Sequence, residues 1–468
     1  MTDSQATGSA SIKGSGSIRI QPLILAAGKG TRMKSDLPKV LLQIAGKPML
    51  GHVLDATKEL NTLAPIVVTG FGSDQVQQSF PDCIFVDQTE QLGTGHAVQM
   101  AADAIPADSL VLILYGDVPL IQTETLQAVL EAASDGKLGL LTAHLQDATG
   151  YGRIVRNGEG AVTSIVEHKD ASAEQLAIKE INTGILAADA KNLVKWVSAL
   201  NNNNAQGEYY LTDIIAMAVA DGVAIQTAHP ANQTEIEGAN DRAQLAELER
   251  AYQLQLAKEL MQGGTALADP NRIDIRGKLT AGKNVSIDVN CIFEGDVALG
   301  NDVTIEANCL IRNSNIGNGS HIKAFSHIEK TDIGQGVDVG PYARLREGTE
   351  LADNSKIGNF VETKKTKLGK GSKINHLSYA GDTEIGENTN IGAGTITCNY
   401  DGANKHKTKI GDNVFVGSNS ALVAPVELKD DSTVGAGSTI TKDVEENTLA
   451  LTRSKQSQID GWKRPTKK

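Results

Sequence analysis

Two different patterns of hydrophobic residues divide this chain. In the first region, which extends to about residue 264, short apolar runs predict buried strands at residues 18–26, 66–70, 84–87 and 110–114. Stretches of helical spacing lie between these runs, and residues 123–133 predict one such helix. Strands that alternate with helices are typical of an α/β domain with a mainly parallel sheet, which we therefore expect here.

A single helical stretch ends this first region. Its apolar residues recur at spacings of three and four, at Leu245, Leu248, Tyr252, Leu256 and Leu260. Gly263 and Gly264 then provide a stop signal. We predict a linker helix over residues 241–264, between a first domain at 18–240 and a second domain at 265–468.

After the linker the apolar positions recur every sixth residue, and glycine often follows them. The series comprise Ile273, Leu279, Val285, Cys291, Val297, Val303, Cys309; Ile316, Ile322, Ile328; Ile333, Val339, Leu345, Leu351, Ile357; Leu368, Ile374, Ala380; Ile385, Ile391; and Ile410, Val416, Leu422, Leu428, Val434, Ile440. This period fits a parallel β-helix, in which each short strand sends one small aliphatic side chain inward. A β-sandwich with coincidental spacing would not keep the register over so many repeats.

Two interruptions of the six-residue period, at residues 361–367 and 398–409, predict irregular loops. The first contains Lys364, Lys365 and Lys367, and the second reads CNYDGANKHKTK. Loops that leave a solenoid often carry binding residues, so we expect part of a functional site at each interruption. For the lysine run, a merely solvated surface is the simpler alternative.

Composition and charge exclude several classes of function. The 468-residue chain has a formal net charge of −12 and no long basic stripe, which argues against nucleic-acid binding. We find no run of about 18 apolar residues and no signal-peptide core, so we expect no membrane insertion. The four cysteines lack disulfide-framework and metal-site spacings, which favours a reducing, cytoplasmic location. Residues 1–17 are rich in Ser, Gly, Ala and Thr and predict a disordered extension.

A glycine-containing loop follows the first predicted strand directly and reads LAAGKGTRM. Gly28 and Gly30 would allow backbone N–H groups to approach a phosphate closely, and Arg32 and Lys39 could neutralise a triphosphate. The spacing does not match a Walker A loop, and Met33 replaces the third glycine of a dinucleotide fingerprint. A plain strand-to-helix turn is the alternative that the loop alone leaves open.

The order of motifs along the chain resembles that of one enzyme family. The motifs are LAAGKGTRM, LPKVL, EQLGTGHA, YGDVPL, GYGRI, VEHKD, INTG and EYYLTD, then ARLREG, NFVETKK, NHLSY, IGAGTITCNYDGANK and GWKRP. From about residue 18 onward the chain is similar to the bacterial bifunctional N-acetylglucosamine-1-phosphate uridyltransferase/glucosamine-1-phosphate N-acetyltransferases. The resemblance implies an α/β, Rossmann-like nucleotidyltransferase domain followed by a left-handed parallel β-helix of hexapeptide repeats.

For the first domain, the resemblance implies transfer of uridylyl from UTP to N-acetylglucosamine 1-phosphate, with release of pyrophosphate. Arg32 and Lys39 would be catalytic, and Asp117 with Asn240 would hold Mg²⁺ through oxygen ligands. Asp117 closes an apolar run, as catalytic carboxylates of α/β sheets often do, whereas Asn240 could instead cap a helix. The site for UTP and the UDP-sugar would comprise Leu25, Ala26, Ala27, Gly28, Lys39, Gln88, Gly93, Thr94, Tyr115, Gly116, Asp117, Gly152, Glu167, Asn182 and Asn240.

For the second domain, the resemblance implies acetylation of glucosamine 1-phosphate by acetyl-CoA. His376 would be the base, a role that suits histidine at neutral pH. The sugar phosphate would be bound by Arg346, Lys364, Tyr379 and Asn390. Acetyl-CoA would be bound by Asn399, Tyr400, Lys405, Ser418, Ala436 and Arg453. The family's acetyltransferase site is shared between the chains of a homotrimer.

Three positions depart from the family's usual pattern. Tyr342, Glu347 and Asn375 stand where Phe, Pro and Gly are more usual. Glu347 also places a negative charge beside Arg346, which bears on the predicted phosphate contact.

Two other functions stay open at this stage. One is a pyrophosphorylase with a single activity, whose β-helix only regulates or oligomerises; intact His376 and Lys364 argue against it. The other is a non-catalytic binding subunit with the same two domains, against which intact Lys39 and Asp117 argue.

Overall fold

The computed structural model describes residues 19–467, so the predicted disordered extension at residues 1–17 lies outside the described part of the chain. The described chain forms two compact units, which divide between Glu249 and Arg250. This division falls inside one long helix, Arg242–Gln262, at the position where the sequence predicts a linker helix. The domain limits at residues 240 and 264 remain predictions.

The first unit combines a β-sheet with helices. Its strands are β1 (Arg19–Leu25), β2 (Gln43–Ile44), β3 (Lys47–Pro48), β4 (Ile66–Thr69), β5 (Ile84–Asp87), β6 (Ser109–Tyr115), β7 (Leu138–His144), β8 (Arg153–Arg156), β9 (Val162–Val166), β10 (Glu180–Asp189) and β11 (Ile225–Ala228). Its helices are α1 (Met49–Lys58), α2 (Ser73–Ser79), α3 (Thr94–Ala101), α4 (Thr123–Ala132), α5 (Ala173–Leu176), α6 (Ala190–Ser198) and α7 (Ile214–Ala220), and α8 (Arg242–Gln262) follows them.

The main sheet has the strand order β11-β7-β10-β6-β1-β4-β5. β1 pairs in parallel with β4 and β6, as predicted, and β4 pairs in parallel with β5. β11 also pairs in parallel with β7, so the sheet is mainly parallel along this path, as expected, except at β10, which enters antiparallel to both β6 and β7. The apolar runs of the sequence show which segments are strands, but they carry no information on strand direction.

Both faces of this sheet are covered by helices. Leu23 and Ile113 pack with residues of α3, α6 and α7, whereas Ile24 and Leu112 pack with residues of α1 and α4. Alternate residues of one strand thus enter two hydrophobic cores, which explains the continuous apolar runs in the sequence. The chain passes from β1 to β4 and β5 on one side of β1 and then returns to β6 on the other side. The strand order therefore reverses at β1, and a crevice is expected at the carboxyl ends of these strands.

The second unit is a parallel β-helix whose strands form two long ladders. The first ladder contains β12 (Ala266–Leu267), β14 (Ser286–Ile287), β16 (Thr304–Ile305), β18 (His321–Ile322), β21 (Asp338–Val339), β24 (Lys356–Asn359), β26 (Lys373–His376), β28 (Asn390–Ile391), β31 (Phe415–Val416), β34 (Thr433–Val434) and β36 (Leu449–Ala450). The second contains β13 (Ile273–Ala281), β15 (Cys291–Leu299), β17 (Leu310–Ile316), β19 (His327–Glu329), β20 (Thr331–Ile333), β22 (Arg344–Leu345), β23 (Thr349–Leu351), β25 (Glu362–Leu368), β27 (Tyr379–Ile385), β29 (Ile396–Cys398), β30 (Thr408–Ile410), β32 (Ala421–Val423), β33 (Val426–Leu428) and β35 (Thr439–Ile440).

The six-residue series of the sequence forms the core of this β-helix. Every member of the predicted series is buried in one continuous hydrophobic cluster, except that Leu279 is only partly buried against it. One coil comprises three six-residue periods, so that Ile273 lies beside Cys291 of the next coil. The prediction of a solenoid built from hexapeptide repeats is therefore confirmed.

The prediction of an irregular loop at residues 361–367 is wrong, because residues 362–367 belong to β25, which pairs with β27. The one-residue change of register is absorbed inside the strand by Lys365, which adopts a left-handed conformation with φ 48°. Asn313 and Lys330 adopt the same conformation in earlier coils. The prediction for residues 398–409 is confirmed in its main part, because a loop at residues 399–407 separates β29 from β30.

One corner of the β-helix carries an exposed apolar ridge, formed by Phe325, Tyr342, Phe360 and Leu377. These four residues lie at one position of successive coils, and each has a positive φ, which is uncommon for bulky residues. Tyr342 stacks between Phe325 and Phe360, with ring centroids 4.9 and 5.4 Å away. The ridge ends beside His376.

Candidate active sites

A cavity of about 270 Å³ opens at the carboxyl ends of β1 and β6. It is lined by Leu25, Ala26, Ala27, Gly28, Lys39, Val40, Gln88, Gln91, Gly93, Thr94, Ala97, Tyr115, Asp117 and Glu208. Most residues predicted to bind UTP are therefore brought together. The predicted residues outside this lining are Arg32, Gly116, Gly152, Glu167, Asn182 and Asn240.

The most polar part of this site is a cluster of three side chains around the Lys39 ammonium group. Lys39 Nζ donates a hydrogen bond to Asn240 Oδ1 at 2.9 Å and forms an ion pair with Asp117. The Lys39 side chain is only 11% exposed, so this charge is held within the site. Asp117 and Asn240 are distant in sequence, and their side-chain oxygen atoms thus converge on the Lys39 ammonium group.

Two converging oxygen donors suit Mg²⁺, which usually takes one or two protein ligands and completes its shell with water and substrate phosphates. Within residues 19–467, no cluster of three or more His, Cys, Asp or Glu side chains is arranged to hold a metal. The residues therefore fit an ion that arrives with a nucleotide better than a fully protein-bound ion.

The glycine loop packs directly against Lys39. Gly30 has φ 56°, and a methyl group at its Cα would lie 2.7 Å from Lys39 Cβ, so only glycine fits. A methyl group on Gly28 would meet no atom within 4 Å, which leaves that part of the loop accessible. Gly116 N–H donates to Leu25 O at 3.0 Å and joins the loop to the turn before Asp117. Arg32 is exposed on the short 3₁₀ turn Thr31–Met33, which follows the glycine loop, and is not one of the lining residues.

The opposite wall of the cavity is held by side-chain hydrogen bonds. Gln88 is buried, and its amide nitrogen lies 3.1 Å from Gly93 O and 3.0 Å from His96 Nδ1. Thr94 is the first residue of α3, and its side chain forms a hydrogen bond with Tyr115. Burial raises the pKa of Tyr115, so its hydroxyl keeps its proton at neutral pH.

The predicted sugar contacts form a neighbouring group: Gly152 directly precedes β8, Glu167 directly follows β9 and Asn182 lies in β10. Asn182 N–H donates to Gly152 O at 2.9 Å, and a methyl group on Gly152 would lie 3.5 Å from Glu167 Oε1. Asn182 Oδ1 accepts a hydrogen bond from Gly184 N at 3.0 Å, and Gly184 lies against the Tyr115 ring. Gly152, Glu167 and Asn182 are therefore assembled near Tyr115, one of the residues that line the nucleotide cavity. Burial raises the pKa of Glu167 above its ordinary value.

On the β-helix, three predicted sugar-phosphate residues lie on adjacent coils. Arg344, Glu362 and Tyr379 are direct neighbours across β22, β25 and β27, with Arg346 and Lys364 two residues farther along their coils. Arg346 Nη1 forms an ion pair with Glu362 Oε1 at 2.8 Å.

Glu347, whose charge could have disturbed Arg346, instead lies 3.5 Å from the Lys330 ammonium group. The sequence shows the adjacency of Glu347 and Arg346, but successive residues of a strand face opposite sides or, at a corner, different directions. The departure from the family pattern at Glu347 therefore leaves the Arg346 side chain paired with Glu362.

His376 is exposed at the end of β26, and its Nδ1 lies 2.5 Å from Asn359 Oδ1 in the preceding coil. Asn390, the fourth predicted sugar contact, lies on β28 beside Lys373 of β26. His376 and Asn390 thus belong to the first ladder, whereas Tyr379 begins a strand of the second. The candidate acetyltransferase residues surround a corner of the β-helix.

The predicted acetyl-CoA residues continue along the later coils. Asn399 is buried and donates to Asp382 Oδ2 at 2.5 Å; a methyl group on Gly381 would lie 2.3 Å from the Tyr379 hydroxyl and 2.8 Å from Asn399 Nδ2. Tyr400 and Lys405 pair across the loop at residues 399–407.

Asp401 stabilises this loop by accepting hydrogen bonds from Asn404 N at 2.7 Å, Ala403 N at 2.8 Å and His406 Nε2 at 2.7 Å. These contacts, led by the one from Asn404, hold the Asp401 pKa well below its usual range.

Ser418, Ala436 and Arg453 lie on successive coils and are all exposed. Gly437 N–H donates to Ser418 O at 2.8 Å, and Arg453 Nη1 donates to Ala436 O at 3.2 Å. The three residues thus form a column that a long, extended ligand could follow.

Several residues at these sites were not singled out from the sequence. They are Val40, Gln91, Ala97 and Glu208 in the nucleotide cavity, and Glu362 and Asp382 on the β-helix. All of these except Asp382 lie inside motifs that carry the resemblance, namely LPKVL, EQLGTGHA, EYYLTD and NFVETKK. A motif match could have drawn attention to these five residues, whereas Asp382 required the pairing between coils.

Comparison with known proteins gives three family models. A MobA-like NTP transferase domain matches residues 22–170, a GMPPB C-terminal domain matches residues 275–364, and a hexapeptide repeat of succinyl-transferase matches residues 407–442. A crystal structure of UDP-glucose pyrophosphorylase complexed with UDP-glucose covers 50% of this chain and 98% of its own at 16% identity, and its TM-score of 0.41 is too low to support an argument. Between residues 19 and 467, no helix has the length and apolar character needed to cross a bilayer.

Curated relatives match over nearly the whole chain. The Bifunctional protein GlmU of Cellvibrio japonicus is 60% identical over 95% of this chain and 99% of its own length. Its namesakes from Marinobacter nauticus and Stutzerimonas stutzeri are each 57% identical over 95% of this chain, and the match covers 98% and 99% of those proteins. Together with the fold, these matches confirm the predicted fold class, a Rossmann-like nucleotidyltransferase domain followed by a left-handed β-helix. The chain belongs to the GlmU family of bifunctional uridyltransferase/acetyltransferase enzymes, as its motifs predict.

Proposed function

We propose that this enzyme makes UDP-N-acetylglucosamine in two steps: acetyl-CoA acetylates glucosamine 1-phosphate, and the product then takes uridylyl from UTP. The observation that carries the proposal is that one chain of this family contains two separate candidate sites. One is the Lys39–Asp117–Asn240 cluster beside a cavity, and the other is the corner of the β-helix at His376.

In the proposed acetylation, the amine of glucosamine 1-phosphate attacks the thioester carbonyl carbon. The new C–N bond forms as the C–S bond breaks, and coenzyme A leaves as its thiol or thiolate. His376 accepts the proton that the attacking amine loses, and Asn359 orients the His376 ring through Nδ1. Arg346 and Lys364 supply positive charge for the sugar phosphate, while Asn399 and Tyr400 contact the acetyl group.

In the proposed uridylyl transfer, a phosphate oxygen of N-acetylglucosamine 1-phosphate attacks the α-phosphorus of UTP. The new P–O bond forms opposite the bond to the β-phosphate, and pyrophosphate leaves. Such a reaction needs positioning and charge neutralisation more than a protein base. Lys39 and Arg32 neutralise phosphate charge, Gln88, Gly93 and Thr94 bind the uracil side, and Glu167 and Asn182 bind the sugar.

Asp117 and Asn240 are the residues that would hold Mg²⁺ in this site, because their side-chain oxygens converge on one cationic position. When bound, the ion would supply positive charge to the phosphates in the transition state.

We further propose that the working enzyme is a cytoplasmic homotrimer, in which a neighbouring chain completes the acetyltransferase site. The apolar ridge supports this proposal, because its four large side chains are exposed next to His376 and contact with another chain would remove them from water. Cys83, Cys291, Cys309 and Cys398 are all free thiols, in agreement with a reducing compartment.

A reconstitution assay tests the proposed function. Purified enzyme would be incubated with glucosamine 1-phosphate, acetyl-CoA, UTP and Mg²⁺, and each component would be omitted in turn. We expect thiol release that requires acetyl-CoA and glucosamine 1-phosphate only, and pyrophosphate release that requires all four components. Pyrophosphate release from UTP and N-acetylglucosamine 1-phosphate without any thiol release would instead support the single-activity pyrophosphorylase.

A further inference from the structure

A short segment, residues 208–213, runs from the nucleotide cavity to the sugar-binding group. Tyr209 N–H donates to Leu92 O at 2.8 Å, and Gly95 N–H donates to Tyr209 O at 2.8 Å. A methyl group on Gly93 would lie 2.6 Å from Tyr209 O, so the segment packs tightly on the loop that leads into α3. Leu211 N–H adds a longer hydrogen bond of 3.3 Å to Thr94 Oγ1. The segment is therefore fixed to the part of the cavity assigned to the nucleotide.

The next residue of the segment reaches the carboxylate assigned to the sugar. Thr212 lies in the 3₁₀ turn Leu211–Asp213, and its hydroxyl donates to Glu167 Oε1 at 3.0 Å. A methyl group on Gly152 would also lie 3.5 Å from this oxygen, but glycine offers no side chain there. The Thr212 hydroxyl thus determines where one carboxylate oxygen of Glu167 lies.

The surroundings of Glu167 make this single donor important. The charged groups with the largest effect on Glu167 are Asp170, Asp213 and Glu208, and all three are acids. Burial is the main cause that raises the Glu167 pKa, these acids raise it further, and the Thr212 hydrogen bond opposes them. Without the donor, the carboxylate would lose both its anchor and its main source of stabilisation in the ionised form.

We infer that Thr212 is a positioning residue that holds Glu167 ready for the sugar phosphate and connects the sugar site to the nucleotide loop. The inference rests on the proposed uridylyltransferase function, in which an ionised Glu167 accepts hydrogen bonds from sugar hydroxyls. Thr212 itself need not touch either substrate. Thr212 lies in the motif EYYLTD, but the motif alone does not assign it a role at the site.

The test compares two substitutions at position 212 in the full-length enzyme. Thr212→Val keeps the shape of the side chain and removes the donor, whereas Thr212→Ser keeps the donor. We expect Thr212→Val to raise the KM for N-acetylglucosamine 1-phosphate by roughly 10-fold to 100-fold, as for loss of a hydrogen bond to a charged group, with a much smaller change in the KM for UTP. Thr212→Ser should stay close to the unsubstituted enzyme.

The pH dependence separates positioning from general damage to the fold. Activity should rise with pH as Glu167 ionises, so a higher Glu167 pKa in Thr212→Val should move the acid limb of kcat/KM for the sugar phosphate to higher pH. Thr212→Ser should restore the limb. Equal kinetics of the Val and Ser variants, or an unshifted limb in Thr212→Val, would overturn the inference.

Two controls keep the inference distinct from the function on which it rests. Acetyl transfer, measured as thiol release in the same preparations, should be unchanged in both variants if the chain is folded. Absence of pyrophosphate release from the unsubstituted enzyme would contradict the proposed function itself, whereas an active enzyme with an unaffected Thr212→Val variant would contradict only the role of Thr212.

Discussion

The two candidate sites of this chain differ in how far they are enclosed. The nucleotide site is a cavity, in which Lys39 is nearly buried and the side chains of Gln88 and Thr94 are tied to their neighbours. The acetyltransferase residues lie on the outside of a solenoid, where His376 and Tyr400 are exposed. Water can be excluded from the first site by residues of one α/β unit, but the second presents an open surface. The difference teaches that one chain can enclose the first site by itself, whereas the second site would need a neighbouring chain to enclose it.

The largest effect should come from removing the proposed base. His376→Ala should lower acetyl transfer by about 10²- to 10⁴-fold, because the variant loses the proposed acceptor of the amine proton, and should leave uridylyl transfer unchanged. Thiol release and pyrophosphate release, measured separately, check this. His321→Ala, which removes a histidine paired with Glu306 elsewhere on the β-helix, is the matched control. Equal activity of the two variants would remove His376 from the mechanism.

A smaller loss should follow from disrupting the cluster in the cavity. Lys39→Ala and Asp117→Ala should each lower uridylyl transfer on the order of 10²- to 10³-fold, because each variant loses a group that organises charge around the phosphates. Acetyl transfer should be retained, since its residues belong to the other unit. Asp108→Ala, at an exposed pair with Arg19, is the control for loss of a carboxylate. Near-normal pyrophosphate release by both variants would contradict the site assignment.

A substitution in the apolar ridge tests whether the acetyltransferase site needs a neighbouring chain. Phe360→Asp should dissociate the proposed trimer into smaller species, because the new charge would be buried without a partner in the contact between chains. Light scattering would measure the change in size, and acetyl transfer should fall roughly tenfold or more. Uridylyl transfer should be unaffected. Asn354→Asp adds the same charge at another left-handed corner position of the β-helix and should change neither activity. A trimeric, fully active Phe360→Asp enzyme would show that the ridge is not the contact.

The smallest effect is expected at Glu347. Because its carboxylate lies near Lys330 and not near Arg346, Glu347→Gln should change the KM for glucosamine 1-phosphate by less than about threefold. Arg346→Gln provides the comparison and should raise this KM much more. A large effect of Glu347→Gln would mean that its charge acts on the phosphate site after all.

The sequence allowed more of the β-helix than of the α/β unit to be predicted. The six-residue period specified inward positions directly, because each coil repeats the same local geometry, and those positions are buried. In the α/β unit, the strands β4, β5 and β6 followed from apolar runs, but the antiparallel entry of β10 did not. The direction of a strand depends on the length and course of the preceding connection, which leaves no period in the sequence.

The same contrast holds for the sites. The sequence by itself determined the solenoid, the glycine loop and, through its motifs, the membership of the family and the candidate residues. Only the tertiary structure decided that Asn240 and Asp117 meet at Lys39, that Glu347 faces Lys330, that residues 362–368 form a strand, and that Thr212 supports Glu167. The physical reason is that most of these contacts join residues that are distant along the chain, while neighbours such as Arg346 and Glu347 have different partners. Packing between elements therefore determines these contacts, and local spacing in the sequence does not.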